Sequence, residues 1–225
     1  MKRILLFGFL LLTVTITANA QVMRAEELEK YAKEKFGEKW TEAAEKIASE
    51  NVLDKNNALT YTQVIEAPGK TKEQLYITIN YWYSNTFNSG KAVIQLNDKD
   101  AGVIIGKGYI EGIAAHMGGI NTYKVNLTPI IKTDIKEGKI RITYTIPSYD
   151  VDKVVGGGFM GARTKGQLTN ETWVLEKCFP YAQKDSHKKT SSKALVMAHA
   201  YSNVIMDKIE EAVKNGVAGN EGDDW

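Results

Sequence analysis

Two runs of strict alternation flank a tight turn near the middle of the chain. Tyr123, Val125, Leu127 and, past Pro129, Ile131 are apolar at every second position. Lys136-Glu137-Gly138 reverses the chain, and Ile140, Ile142, Tyr144 and Ile146 alternate on the way back. A period of two cannot sit on a helix, whose faces repeat every 3.6 residues. With a hairpin turn between the runs, it predicts antiparallel strands with one packed face and one wet face. Two further strand-like runs precede them, Ala92–Leu96 and Val103–Ile113, joined by the polar turn at residues 98–102.

Helical patterns surround this block. From Arg24 to Glu50, Leu28, Ala32, Phe36, Trp40, Ala43 and Ile47 form one apolar stripe, and Gly37 marks a place where it divides into two helices. Leu59–Glu66 reads as a strand. Thr71 with Gln74 has capping-box spacing and opens a helix whose inward face is Leu75, Ile79, Trp82, Tyr83 and Phe87. Tyr76 and Tyr81 lie off that face and offer a contact surface or packing for a neighbouring helix. Pro147–Asn170 reads as a glycine-rich loop and Thr172–Lys177 as a short strand. A last helix runs from Ser191 to Lys214 with a stripe of Leu195, Ala198, Ser202, Ile205, Ile209 and Val213. The predicted fold class is α+β: a curved antiparallel sheet in β-α-β-β-β-β order with helices packed on one face. It is flanked by an N-terminal amphipathic helix and a C-terminal helix with an acidic tail. The expected division is a signal segment at 1–20, a helical segment at 21–56, an α+β domain at 57–148, and a loop-strand-helix segment at 149–225.

The stretch Lys91-Ala92-Val93-Ile94-Gln95, then Asp98-Lys99-Asp100-Ala101-Gly102-Val103-Ile104-Ile105-Gly106-Lys107-Gly108, resembles an exported Bacteroidetes family of unknown function with a TATA-binding-protein-like fold. The resemblance covers about residues 60–146. It implies a curved antiparallel sheet with helices on its convex side. It implies no activity, and DNA binding does not carry over from the fold's namesake.

The first 20 residues read as an export signal: Lys2 and Arg3, an apolar run from Ile4 to Leu12, and a small-residue site at Ala18-Asn19-Ala20, with cleavage expected before Gln21. An uncleaved anchor is the alternative. Loss of Lys2 and Arg3 with the signal takes the formal charge from +2 to zero. A neutral chain lacks the excess cations that phosphate backbones demand, so no nucleic-acid partner is expected. Past the signal no apolar run reaches the roughly 20 residues of a membrane-spanning helix. The expected destination is the periplasm or the outside.

Chemistry-bearing residues are sparse. Gly156-Gly157-Gly158-Phe159-Met160-Gly161 fits G-x-G-x-x-G in letters, but it lacks the strand before and helix after that a dinucleotide site needs, and a plain connector is the alternative. Arg163 and Lys165 beside it suggest an anion site at most. Gly106-Lys107-Gly108 reads as a bend or close approach within a strand, not a phosphate loop. Three histidines, His116, His187 and His199, have no metal-binding spacing. His187 is expected in a solvated basic loop, His199 at a helix edge and His116 in a hairpin turn. Cys178 is the sole cysteine, so a disulfide within the chain is impossible. It is either a half-buried inert thiol or one half of a Cys–His pair.

No catalytic, cofactor-binding or metal-binding residue is assigned, and no cofactor. The expected function is a non-catalytic binding module for another cell-envelope component, protein or glycan. The alternatives are an envelope hydrolase using Cys178 or a histidine, and a structural subunit docking through its first helix. The expected recognition surface is the wet sheet face, with Lys124, Asn126 and Thr128 opposite Arg141, Thr143 and Thr145.

Overall fold

The computed structural model describes residues 22–87, 93–117, 121–155 and 167–216. Residues 1–20, read above as an export signal, the glycine run at 156–161 with Arg163 and Lys165, and the acidic tail lie outside them.

The chain opens with α1 (Ala25–Phe36) and α2 (Trp40–Glu50), separated at Gly37, whose φ of 99° is a conformation that favours glycine. Strand β1 (Leu59–Glu66) follows, then α3 (Lys72–Thr86). The Thr71 hydroxyl accepts from the Gln74 amide, and the Gln74 side chain accepts from the Thr71 amide, so both halves of the capping box form. Seven strands come next: β2 (Val93–Asp98), β3 (Val103–Lys107), β4 (Ile110–His116), β5 (Asn121–Leu127), β6 (Ile130–Lys136), β7 (Lys139–Ile146) and β8 (Ser148–Val155). The chain closes with β9 (Gln167–Val174), one turn of helix α4 (Leu175–Cys178), and the 31-residue α5 (Asp185–Asn215).

The expected single sheet is two antiparallel sheets in the order β1-β7-β6-β3-β2 and β4-β5-β8-β9. Three long strands pass from one into the other. Each breaks where the sequence removes a ladder partner or side chain: β3 into β4 at Gly108, β5 into β6 at Pro129, and β7 into β8 at Pro147. The architecture is therefore one antiparallel surface bent along a line.

The fourth segment differs from expectation. Residues 148–155 form β8, paired along its length with β5 on one side and β9 on the other. Strand β9 begins at Gln167, and Leu175–Cys178 is helical. The expected boundary after residue 148 thus falls inside a strand hydrogen-bonded to the preceding segment.

One face of the bent surface packs. Ile104, Ile131, Ile135, Ile140, Ile142, Tyr144 and Ile146 on the first sheet are buried, as are Tyr123, Val125, Leu127, Tyr149 and Val151 on the second. The Tyr83 hydroxyl of α3 donates to the Ile131 carbonyl at 2.9 Å. A Cβ at Gly106 would stand 2.6 Å from the Tyr83 ring, so the ring lies where only glycine leaves room. Helix α5 is buried almost all round its middle, Ala194–Ala198 and Ala200–Ser202, because the sheet lies on one side and α1 and α2 on the other. Leu28, Ala32, Ala43, Ala44 and Ile47 fill that outer seam, and Lys193 of α5 reaches Glu29 of α1 at 2.6 Å.

Candidate functional site

Among the described residues, the opposite face carries no helix. Its side chains alternate with the buried ones: Thr60, Thr62 and Val64 on β1, Arg141, Thr143 and Thr145 on β7, Lys132 and Asp134 on β6, Lys124 and Asn126 on β5, Asp150 and Asp152 on β8. The residues expected on the wet face point to this side, but Asn126 is buried at 2% exposure beneath its neighbours, and the others stand in a different arrangement. Arg141, Thr143 and Thr145 lie on the first sheet, opposite Asp134, Lys132 and Ile130. Lys124 and Asn126 lie on the second, opposite Asp152 and Asp150. The two sets occupy separate halves because the strands change sheets at Pro129 and Pro147.

Cross-strand pairing fixes much of this surface. On the second sheet the Asn126 amide donates to Asp152 at 3.0 Å, and its carbonyl oxygen accepts from the Gly112 amide at 2.9 Å. Asn170 donates to Asp152 at 2.7 Å, Thr128 to Asp150 at 2.7 Å, and Lys124 pairs with Glu111. On the first sheet Asp134 accepts from Arg141 at 3.0 Å and from Lys132 at 2.7 Å. Burial alone would raise the Asp134 pKa; the hydrogen bonds and charge of Lys132 and Arg141 outweigh it and hold the carboxyl below its usual range.

Apolar side chains sit among these groups. Eight large hydrophobic residues are exposed among the described residues, and five of them lie on this face: Val64, Leu96, Val154, Leu168 and Val174. They are spread across it: Val64 and Leu96 lie on the two edge strands of the first sheet, β1 and β2, and on the second Val154 and Leu168 are the one directly facing pair among the five.

Of the reactive candidates, Cys178 and His199 stand apart, and His116 and His187 both pack on Tyr123. Cys178 is 4% exposed and its thiol donates to the Val174 carbonyl, with no histidine as partner. Burial pushes its pKa up to about 12, which keeps the thiolate scarce. His199 is half-buried, with Nδ1 2.7 Å from the Tyr61 hydroxyl and its ring edge-on to Phe36. Its pKa falls to about 4, chiefly through burial and secondarily through Lys35. His187 is not in a solvated loop. It lies in the first turn of α5, stacked on Trp173 at 5.0 Å between ring centroids and edge-on to Tyr123 at 4.9 Å. His116 ends β4, with its ring 6.0 Å from Tyr123. No group of three or more His, Cys, Asp or Glu among the described residues is placed to hold a metal ion. Tyr76 and Tyr81 are partly exposed, and the Tyr76 hydroxyl donates to Asn97.

Comparison with known proteins bears on this arrangement. The family described as a domain of unknown function (DUF4468) with TBP-like fold matches residues 61–150. That stretch of the chain is similar to the DUF4468 family. It begins inside β1 and ends inside β8, so the match takes in the first sheet from Tyr61 on and α3, while α1, α2, β9 and α5 lie outside it. A TBP-like protein from Parabacteroides distasonis ATCC 8503 is similar in structure, with a TM-score of 0.48 and 14% identity over 72% of this chain and 96% of that one. A DUF4468 family protein from Bacteroides ovatus ATCC 8483 gives a TM-score of 0.42 and 14% identity over 69% and 88%. No curated protein matches the sequence.

Asp134, Lys132, Asp150 and Asp152 were not anticipated as part of the face. The signal for the first two was available: they are the polar positions of an alternating strand. Asp150 and Asp152 follow a proline and belong to a residue type depleted in strands, which hid them.

Proposed function

We propose that this chain is a non-catalytic binding module of the cell envelope, and that the helix-free face of its bent sheet is the recognition surface. The observation that carries the reading is that, among the described residues, five of the eight exposed large hydrophobic residues lie on that face, set among cross-strand polar pairs. A surface already held by its own hydrogen bonds loses little side-chain entropy when a partner arrives. Cys178 has no histidine beside it, and His116 and His187 both pack on the Tyr123 ring with no hydrogen bond between them, which favours binding over hydrolysis, since acid–base and nucleophilic work needs such groups within hydrogen-bond reach of one another. The stripe of α1 and α2 is buried within its own chain, which leaves little for a docking role. Placement in the envelope rests on the export signal read in residues 1–20.

The test is complementation of a strain lacking the gene. A chain with Cys178→Ala, His116→Ala, His187→Gln and His199→Gln together should restore the phenotype once its fold is verified by circular dichroism. Lys124→Glu with Arg141→Glu should not. Loss of function in the first chain with its fold intact would reverse the reading towards an enzyme.

A further inference from the structure

At the end of the open face where β6 turns into β7, a pocket of about 160 Å³ is lined by Val64, Asp134, Lys136, Lys139, Ile140 and Arg141. Resting on the reading of this face as the recognition surface, we propose that the pocket is a subsite for an oxyanion, phosphate or carboxylate, borne on a small apolar group.

The charges here are unbalanced in one direction. Lys136 and Lys139 stand directly opposite each other across the hairpin. Like charges in that position repel, and an opposite pair would close the turn better. Carboxylates that could screen them are engaged or fall short. Glu137, inside the turn, faces away and accepts from the Lys72 amide at the start of α3, at 2.9 Å. Asp134 already serves Lys132 and Arg141. Glu66 is the register neighbour of Lys139 on β1, yet among the described residues neither lysine forms an ion pair. Lining the pocket there are thus three cations, Lys136, Lys139 and Arg141, against one carboxylate, Asp134.

The geometry suits an anion as well as the charge does. Nε and Nη2 of Arg141 both donate to the same oxygen of Asp134, at 3.2 and 3.0 Å. That locks the plane of the guanidinium and leaves Nη1 for a ligand, a pre-oriented donor of the kind that recognises oxyanions. The two ammonium groups beside it are mobile point charges that can close on the remaining oxygens. Val64, 55% exposed, supplies an apolar patch next to them. A pocket of this size holds a phosphate or carboxylate with a ring or short chain, and no more.

Calorimetric titration of the secreted chain at low ionic strength tests this with three probes: inorganic phosphate, phenyl phosphate and benzoate. Phenyl phosphate or benzoate should bind saturably, and phenyl phosphate more tightly than inorganic phosphate. The relative strength of the two aromatic probes tells phosphate from carboxylate ligands. Lys136→Met with Lys139→Met should weaken binding at least about tenfold, a loss expected for two charge-assisted contacts. The same double variant should keep or raise the urea midpoint, because it removes a repulsion. Val64→Thr should erase the advantage of phenyl phosphate over inorganic phosphate. Binding unchanged in the double lysine variant, or no saturation with any probe, would overturn the subsite. Lys124 lies on the other sheet, so Lys124→Glu separates the two claims. Loss of complementation with Lys124→Glu in a chain that binds no probe leaves the face and removes the pocket. Probe binding with full complementation by Lys124→Glu and by Lys136→Met/Lys139→Met removes the face and the pocket's share in it.

Discussion

His199 is held neutral by its surroundings: Tyr61 on one side, Phe36 on the other and Lys35 nearby. Its folded pKa of about 4 lies below the ordinary value of 6.5. As pH falls through 6.5 the unfolded chain takes up a proton that the folded chain refuses, so stability is lost between about pH 6.5 and 4 and levels off below. The pKa difference corresponds to at most about 3 kcal/mol. Urea midpoints measured across that window should fall with acidity in the wild type, and less so in His199→Gln; identical slopes would show that this imidazole is not the titrating group. Cys178 gives a second expectation. With its thiol pushed up to about 12 and 4% exposed, it should react with a thiol-specific disulfide reagent only after unfolding in urea. Rapid labelling of the native chain would contradict its placement. The inert thiol is one of two readings the sequence leaves open, and burial with a hydrogen bond to the Val174 carbonyl favours it. The surroundings of His187 were not legible. Trp173 and Tyr123 meet it from β9 and β5, and no local pattern around residues 185–189 announces partners so far away in the chain.

Helix α3 shows how far local signals reach. Its cap is written in two residues three apart, and Leu75, Ile79, Trp82 and Tyr83 are the residues that it buries. Trp82 is 4% exposed, with Tyr83 and Phe87 edge-on to it. Trp82→Ala should cost about 3–5 kcal/mol, read as a lowered urea midpoint; a midpoint equal to wild type would mean the helix presents another face. Gly106→Ala should cost about 1–3 kcal/mol by forcing the Tyr83 ring from the strand. A neutral result there would remove the close approach from the account of why β3 carries glycine. Strand β8 was hidden for the converse reason. Pro147 suggests a break and Asp150 and Asp152 suggest a loop, yet both carboxylates are satisfied by Asn126, Thr128 and Asn170 from neighbouring strands. Sheet pairing, which is non-local, overrode local preference. The first turns of α5 were missed likewise: residues 185–189 are polar, and the aromatic contacts of His187 are made with strands distant in sequence.

The whole molecule is a bent antiparallel surface with α3 and α5 on one side and α1 and α2 beyond α5. The alternating strands made the α+β class and the helical layer legible. The division into two sheets was not, because it depends on where three long strands bend together, and each bend alone looks like an ordinary break. The open face follows from that bend. Its first sheet carries the cations of the β6–β7 hairpin, its second the carboxylates of Glu111, Asp150 and Asp152, and exposed apolar groups lie between and around them. A partner that uses this face must touch side chains near its middle and leave the helical side free. The direct measurement is photo-crosslinking in living cells, with a photoreactive amino acid placed at one position per chain. Thr62 and Thr143 report on the open face, and Ile77, 60% exposed on α3, reports on the helical side. The account predicts a discrete crosslinked adduct from positions 62 and 143 and none from position 77. An adduct from position 77 alone, with the two sheet positions silent, would contradict it.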